Sequence, residues 1–320
     1  MNTIANFSIN IDEAVQLLKS GNVVAIPTET VYGLAADASN PDAVLKIFEL
    51  KKRPKNHPLI VHIANTDQIK YWATDIPDAA YQLTNVFWPG PLTIVLKKAP
   101  QIDSTVTGGQ DTIALRSPRH PITQEILKKF NGGLAAPSAN RFGSISPTTA
   151  QHVHTTFGNT LPIIDGGACI VGIESTIVDL SSNTPRILRP GMITAEQISA
   201  LLNQDIQPSQ HAFAPRVPGM LSSHYAPKTP TLLVAPEKLL ETIRHKTCVV
   251  FAQQPQPKNT DNCRWIHMPE HATAYAQALY HQMHTADALH YDYIIIEDVP
   301  NSPEWTAIHD RLQKAAHTIL

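Results

Sequence analysis

Apolar residues along the chain fall into two spacings, and together they predict a mixed α/β protein. Ile11, Ala14, Val15, Leu17 and Leu18 recur at helical spacing over 11–20, and Gly21 closes the run. Residues 23–26 are short and continuously apolar, as in a buried strand, and stop at Pro27. From Asp42, the positions Val44, Leu45, Ile47 and Phe48 give the inner face of a helix that ends before Pro54. The same reasoning predicts a strand over 59–63, a helix over 79–87, strands over 92–96 and 112–115, and a helix over 122–130. Strands are expected near 134–136, 163–165, 175–180 and 186–188, then a short helix over 194–202.

Residues 203–230 break this pattern with Pro208, Pro215, Pro218, Pro227 and Pro230, and read as a linker. Beyond it, strands over 231–234, 248–251 and 293–296 alternate with helices over 237–245, 272–290 and 305–319. That alternation predicts a small parallel sheet covered by helices. The organisation expected is a larger α/β unit over 1–204, a proline-rich linker over 205–230 and an accessory β/α unit over 231–320. No strand-to-helix turn of the last unit holds a glycine, so it is Rossmann-like in outline and lacks the phosphate fingerprint.

Composition narrows the function classes. With 25 Lys+Arg against 27 Asp+Glu, the net charge of −2 excludes a uniformly basic surface for bulk nucleic-acid binding. The last of the 14 glycines is Gly219, so any glycine-rich phosphate loop precedes the accessory unit. No apolar run has the length of a membrane span, and the first residues lack the build of a signal peptide. Cys169, Cys248 and Cys263 have no CxxC spacing, which disfavours a disulfide framework or a zinc site. A reduced, cytoplasmic setting is expected. His281 and His284 share a helix face with metal-ligand spacing, but a solvated polar face is the simpler reading; His152 and His154 are two apart and would point to different sides.

The usual nucleophile and phosphate motifs, GxSxG, HExxH, GxxxxGK[ST] and GxGxxG, are missing. Polar clusters at strand ends take their place, where α/β folds hold ligands. Pro27-Thr28-Glu29-Thr30 offers hydroxyls and a carboxylate after an apolar strand, although a capped turn would look the same. Lys51, Lys52, Arg53 and Lys55, followed by Asn56 and His57, form a dense anion-binding surface or an ordinary helix C-terminus. Arg116 ends an apolar strand, where a buried guanidinium needs an anionic partner from the protein or a ligand. Ala136-Pro137-Ser138-Ala139-Asn140, Ser146, Gly172–Thr176 and Arg189 complete the series.

In order, the segments PTETVYGL, KKRP…PLIVHI, FWPGPLTIVL, ALRSP, APSAN…SPTTA, GIESTIVDL, ILRPG and PGMLSSHYAPKTP cover roughly 10–230. This series resembles the YrdC-domain family, in its long two-domain form of L-threonylcarbamoyladenylate synthases. The resemblance implies a twisted open mixed sheet with helices around a basic cavity. It implies synthesis of threonylcarbamoyl-AMP from L-threonine, bicarbonate and ATP, with release of pyrophosphate. Magnesium would accompany the ATP phosphates with no protein ligands, and a transferase complex would then pass the threonylcarbamoyl group to tRNA beside the anticodon. By motif, Lys51, Arg53, Ser138 and Asn140 match the catalytic positions. Thr30, His62, Arg116, Ala136 and Ser175 match the threonine positions, and Arg53, His57, Thr112, Ser138, Ser146, Arg189 and Tyr225 the ATP positions. Tyr225 lies in the linker, which would then fold over the site as a lid.

Two departures from the family pattern stand out. His57 replaces the usual Asn, and His309-Asp310 replaces a Met-Asn pair in a stretch, 307–312, expected to lie away from the site without catalytic consequence. The competing reading is an RNA-binding or ribosome-associated YrdC-like protein that uses the same cavity, with weak or double-stranded RNA binding; Ser175, Arg116 and the HY linker argue against it, since an RNA surface does not need them.

Overall fold

The computed structural model describes residues 7–206, 214–219, 225–258 and 260–319. Part of the linker, including His224, lies outside the described residues.

The first sheet contains β1 (Val24–Ile26), β2 (Gly33–Asp37), β3 (Ile60–His62), β4 (Ala73–Thr74), β5 (Leu92–Lys98), β6 (Thr112–Arg116), β7 (Leu134–Ala135), β8 (Thr176–Asp179) and β9 (Arg186–Arg189). Their order is β1-β2-β7-β3-β6-β5-β8-β9, with β4 added beside β5. The sheet is mixed: β3 runs parallel to β6 and β5 parallel to β8, while β6 is antiparallel to β5. This directionality decides where the chemistry sits. The carboxyl ends of β3 and β6 meet the amino ends of β5 and β8, because His62 pairs with Arg116, Arg116 with Thr93, and Thr93 with Ile177.

The second sheet contains β10 (Thr231–Val234), β11 (Cys248–Ala252), β12 (Cys263–His267), β13 (Tyr293–Glu297) and β14 (Thr318–Ile319), in the order β12-β11-β13-β10-β14. All its pairs are parallel. The helices Ala272–Asp287 and Thr306–Ala315 bury Leu279, Tyr280, Met283, Ile308 and Leu312 against it.

Most expected elements are present, and the differences have local causes. The helix Pro41–Lys51 carries proline in its first turn and is capped by Asn40, which accepts from Asp42 and Ala43. The strand expected at 163–165 is reduced to isolated bridges from Ile163 to Ser8 and Ala25. Strand β2 and the helix Ala150–Phe157 were not expected: Gly33-Leu34-Ala35-Ala36 has weak strand preference, and the helix is rich in Thr and His. The edge strand β12 joins β11 with no helix between them, which corrects the simple three-fold alternation.

The two units meet through histidines. His152, on the helix Ala150–Phe157, stacks on His284 at 4.0 Å between ring centroids and lies 5.4 Å from His281. His284 also bonds the Ser146 carbonyl through Nε2 at 3.1 Å. Of the face expected to be solvated, His281 is exposed at its edge while His284 makes an inter-unit contact. Burial lowers the pKa of His152 to about 3, helped by His284 and His281, and burial lowers that of His284 to about 4.

A base whose folded pKa lies below its unfolded value binds a proton on unfolding. Its stabilisation is complete above the unfolded value of about 6.5 and is lost as pH falls below it. Urea unfolding should therefore show stability falling between pH 6.5 and about 4, with a slope of at most about 1.4 kcal/mol per pH unit from each of these half-buried histidines. His284→Gln keeps a donor for the Ser146 carbonyl and should flatten that slope. An unchanged slope in the variant would assign the acid sensitivity elsewhere.

Candidate active site

The ends of the strands enclose one cavity. It is lined by Thr28, Thr30, Val31, Gly33, Arg53, Ile60, His62, Arg116, Ala136, Pro137, Ser138, Glu174, Ser175, Arg189, Pro218 and Tyr225. The four polar clusters around Thr30, Ser138, Ser175 and Arg189, far apart in sequence, therefore share a wall.

Arg116 is 4% exposed and finds its anionic partner within the protein. Its Nη2 lies 2.8 Å from Glu29 Oε1, a close ionic contact not aligned as a hydrogen bond. Its Nη1 donates to Thr30 Oγ1 at 2.9 Å, and its Nε to the Gly90 carbonyl at 3.3 Å. The turn after Phe87 supplies that carbonyl; a Cβ on Gly90 would lie 2.3 Å from the Phe87 oxygen, so the turn tolerates only glycine. Glu29 also accepts from the Arg119 backbone at 3.0 Å.

The basic run after the helix Pro41–Lys51 divides by direction. Lys51 and Arg53 are buried, whereas Lys52 and Lys55 are exposed. Lys51 falls on the apolar face with Val44, Ile47 and Phe48, at helical spacing. Its Nζ donates to the Ser138 carbonyl at 2.5 Å, the Asn140 carbonyl at 2.7 Å and Asn140 Oδ1 at 3.3 Å. Ser138 Oγ donates to Asn140 Oδ1 in turn. Lys51 and Asn140 thus brace the Ser138 loop from behind, and neither lines the cavity. Burial, then Arg53, lowers the pKa of Lys51 well below its ordinary value.

Arg53 donates to the Pro58 carbonyl at 2.9 Å and packs on the Phe142 ring. Its buried Nε and the buried Nδ1 of His62 have no hydrogen-bond partner among the described residues, and both side chains line the cavity. Buried polar groups are rarely left so, and a polar ligand would satisfy both. Burial and Arg116 push the His62 pKa well below the usual histidine value, so the ring is neutral at pH 7.

Ser175 Oγ is 2.8 Å from Thr93 Oγ1 and accepts from Arg189 Nη2 at 3.1 Å. Arg189 also donates to the Ser175 carbonyl and, through Nη1, to the linker carbonyl of Pro218 at 3.0 Å. The linker is held again where Gln110 exchanges hydrogen bonds with the Arg216 backbone, at 2.7 and 3.0 Å. Val217 packs on Ile60, Val95, Ala114 and Ile177, the outer face of the strands beside the cavity.

Besides Lys51 and Asn140, three more expected site residues lie outside the lining. Ser146 is fully buried and donates to Glu174 Oε1 at 2.6 Å. His57 is half-buried, edge-on to Phe142, and burial, then Arg53 and Arg216, lowers its pKa. Thr112 opens β6 and lines a separate groove with Lys97, Asp111 and Ser181. Alternation puts Thr112 on the same sheet face as Ala114 and Arg116, about 13 Å from Arg116 at about 3.3 Å per residue.

Sequence reading included Glu174 in the cluster Gly172–Thr176 without giving it a role, and missed Arg311. Glu174 lines the cavity and accepts from Ser146, Tyr280 and Arg311. The stretch 307–312 was expected to lie away from the site; instead Arg311, fully buried, reaches Glu174 at 2.8 Å and sits over the Tyr225 ring. A lone arginine in an accessory unit carries no motif, so no local signal pointed to it.

A family model described as "Telomere recombination" matches residues 16–191. A second, described as "Threonylcarbamoyl-AMP synthase, C-terminal domain", matches residues 193–317. The threonylcarbamoyl-AMP synthase of Bacillus subtilis is 38% identical over 96% of this chain and 92% of its own. The chain belongs to the threonylcarbamoyl-AMP synthase family. The Pyrococcus abyssi member is 36% identical over 99% of this chain and 98% of its own. A solved structure, "Crystal structure of P. abyssi Sua5 complexed with L-threonine", superposes with a TM-score of 0.89 at 35% identity, over 97% of this chain and 95% of that one. A putative family member of Mycobacterium tuberculosis, 36% identical, matches 62% of this chain but 91% of its own length.

The bracing role of Lys51 is open to measurement. Lys51→Met should leave the Ser138 and Asn140 acceptors unsatisfied and cost about 1–3 kcal/mol in urea unfolding. It should also reduce activity by more than tenfold. Wild-type stability in this variant would show that the loop holds its shape without the ammonium.

Proposed function

We propose that this enzyme joins L-threonine, bicarbonate and ATP into L-threonylcarbamoyladenylate and releases pyrophosphate. The observation that carries this reading is the cavity itself: Arg53, Arg116 and Arg189 are buried around it, and Arg53 Nε and His62 Nδ1, from two lining side chains, have no hydrogen-bond partner among the described residues. Such a site suits a small zwitterion beside a polyphosphate.

The threonine amine adds to the carbon of bicarbonate and water is lost, giving a carbamate. A carbamate oxygen then attacks the α-phosphorus of ATP, and the bond to the β-phosphate bridging oxygen breaks as pyrophosphate leaves. No protein nucleophile is needed. Catalysis is positioning and charge compensation. The remaining N–H donors of Arg116 take the threonine carboxylate, with Thr30, His62, Ala136 and Ser175 around it. His62, held neutral, accepts a hydrogen bond from the substrate amine or hydroxyl.

Arg53 and Ser138 face the phosphates, and Lys51 with Asn140 fixes the Ser138 loop. Arg189 and Tyr225 close the nucleotide side, while Ser146 acts there through Glu174. A nucleotide laid along the outer face of β6 would run from Arg116 toward Thr112, with His57 beside Arg53. Residues 205–230 serve as the lid between the units over 1–204 and 231–320; the Pro218, Arg216 and Val217 contacts support this.

Magnesium would arrive on the ATP phosphates. The cavity carboxylate Glu174 is engaged by Arg311, and Glu29 by Arg116, so neither is open to a metal, and no group of metal-ligating residues occurs among the described residues. A transferase complex would consume the product on tRNA in the cytoplasm. No helix among the described residues is long and apolar enough to cross a membrane.

Pyrophosphate release from ATP should require both threonine and bicarbonate. Release independent of threonine, or none from folded protein, would sink the reading. Arg116→Ala should raise the KM for threonine about 10–100-fold, the worth of a charge-assisted hydrogen bond of about 1.5–3 kcal/mol. A threonine KM equal to wild type would remove the carboxylate from Arg116.

A further inference from the structure

The accessory unit places a charged side chain behind the wall of the nucleotide cavity, in contact with the lining residue Glu174. Arg311, on the helix Thr306–Ala315, has no exposed surface. Its Nε donates to Glu174 Oε2 at 2.8 Å, its Nη2 to the Pro190 carbonyl at 3.1 Å and its Nη1 to Asp310 Oδ2 at 2.5 Å. The guanidinium carbon lies 5.3 Å from the centre of the Tyr225 ring. Tyr280, from the neighbouring helix, donates to the same Glu174 oxygen at 3.1 Å.

Glu174 is an unexpected residue for an anion site. It lines the cavity beside Arg53 and Arg189, one position before Ser175. Burial alone would raise its pKa, but Arg311, Arg189 and the Ser146 hydrogen bond hold it at about 2. It is therefore ionised at every working pH, and a carboxylate in that wall repels a triphosphate unless it is neutralised locally.

We propose that Arg311 is a positioning residue for the nucleotide site: it neutralises Glu174 in the cavity wall and seats Tyr225, so that ATP meets no uncompensated negative charge. Simple adhesion between the units would not require the contact to end on a cavity carboxylate. The accessory unit, which has no phosphate loop, thereby tunes the electrostatics of the site next door.

This inference rests on the proposed function, and its test separates the two. ATP binding is measured by calorimetry without turnover, alongside the KM for ATP and for threonine. Arg311→Met keeps the volume and should weaken ATP binding at least tenfold at pH 8. Threonine KM should change less than threefold.

Glu174→Gln in the same chain should restore ATP affinity to within about threefold of the Glu174→Gln single variant. That comparison stands even if Arg311→Met alone fails to fold. A double variant ten times weaker than Glu174→Gln, or Arg311→Met with wild-type ATP affinity, would overturn the proposal. Absence of ATP binding by the wild-type protein would instead overturn the functional reading on which it rests.

Discussion

Burying cations at one end of a sheet is the constraint around which this protein is arranged. Lys51, Arg53, Arg116, Arg189 and Arg311 are all nearly inaccessible, and each would be costly without compensation. Glu29 answers Arg116, Glu174 answers Arg311, and backbone carbonyls of Pro58, Ser138, Asn140, Ser175 and Pro218 answer the rest. The mixed strand directions make this arrangement possible. They bring four strand ends to one place, where loop carbonyls point inward and a ligand can enter.

The same compensation ties the two units together. Glu174 gathers Ser146 from its own unit and Tyr280 and Arg311 from the other, while the ring of Tyr225 in the linker packs near both Arg311 and Tyr280. A domain interface and a cavity wall thus share one carboxylate.

Much of the site was readable from sequence, for physical reasons. The cations at 51–55 stood out as one cluster at a helix end; that Lys51 continues the buried face of Val44 and Phe48 was shown by the structure. Arg116 closes an apolar strand, so its need for an anion follows from desolvation, although whether that anion came from protein or ligand stayed open. The weaker readings failed where local signals are weak. Strand β2 is built of Gly, Leu and Ala; β12 is a partly exposed edge; the helix Ala150–Phe157 owes its start to a Thr149 cap and its place to inter-unit packing.

The sequence by itself determined the family, the two α/β units and the roster of polar clusters, because ordered motifs and hydrophobic periods are local properties of the chain. Tertiary structure alone decided which cations face the cavity and which brace it. It alone paired Glu29 with Arg116, and Glu174 with Arg311 across 137 positions. Charge compensation acts through space over a few ångströms and leaves no trace in spacing along the chain. For that reason the stretch read as remote reached the site; ring packing, equally non-local, drew His284 from the expected solvated face onto His152.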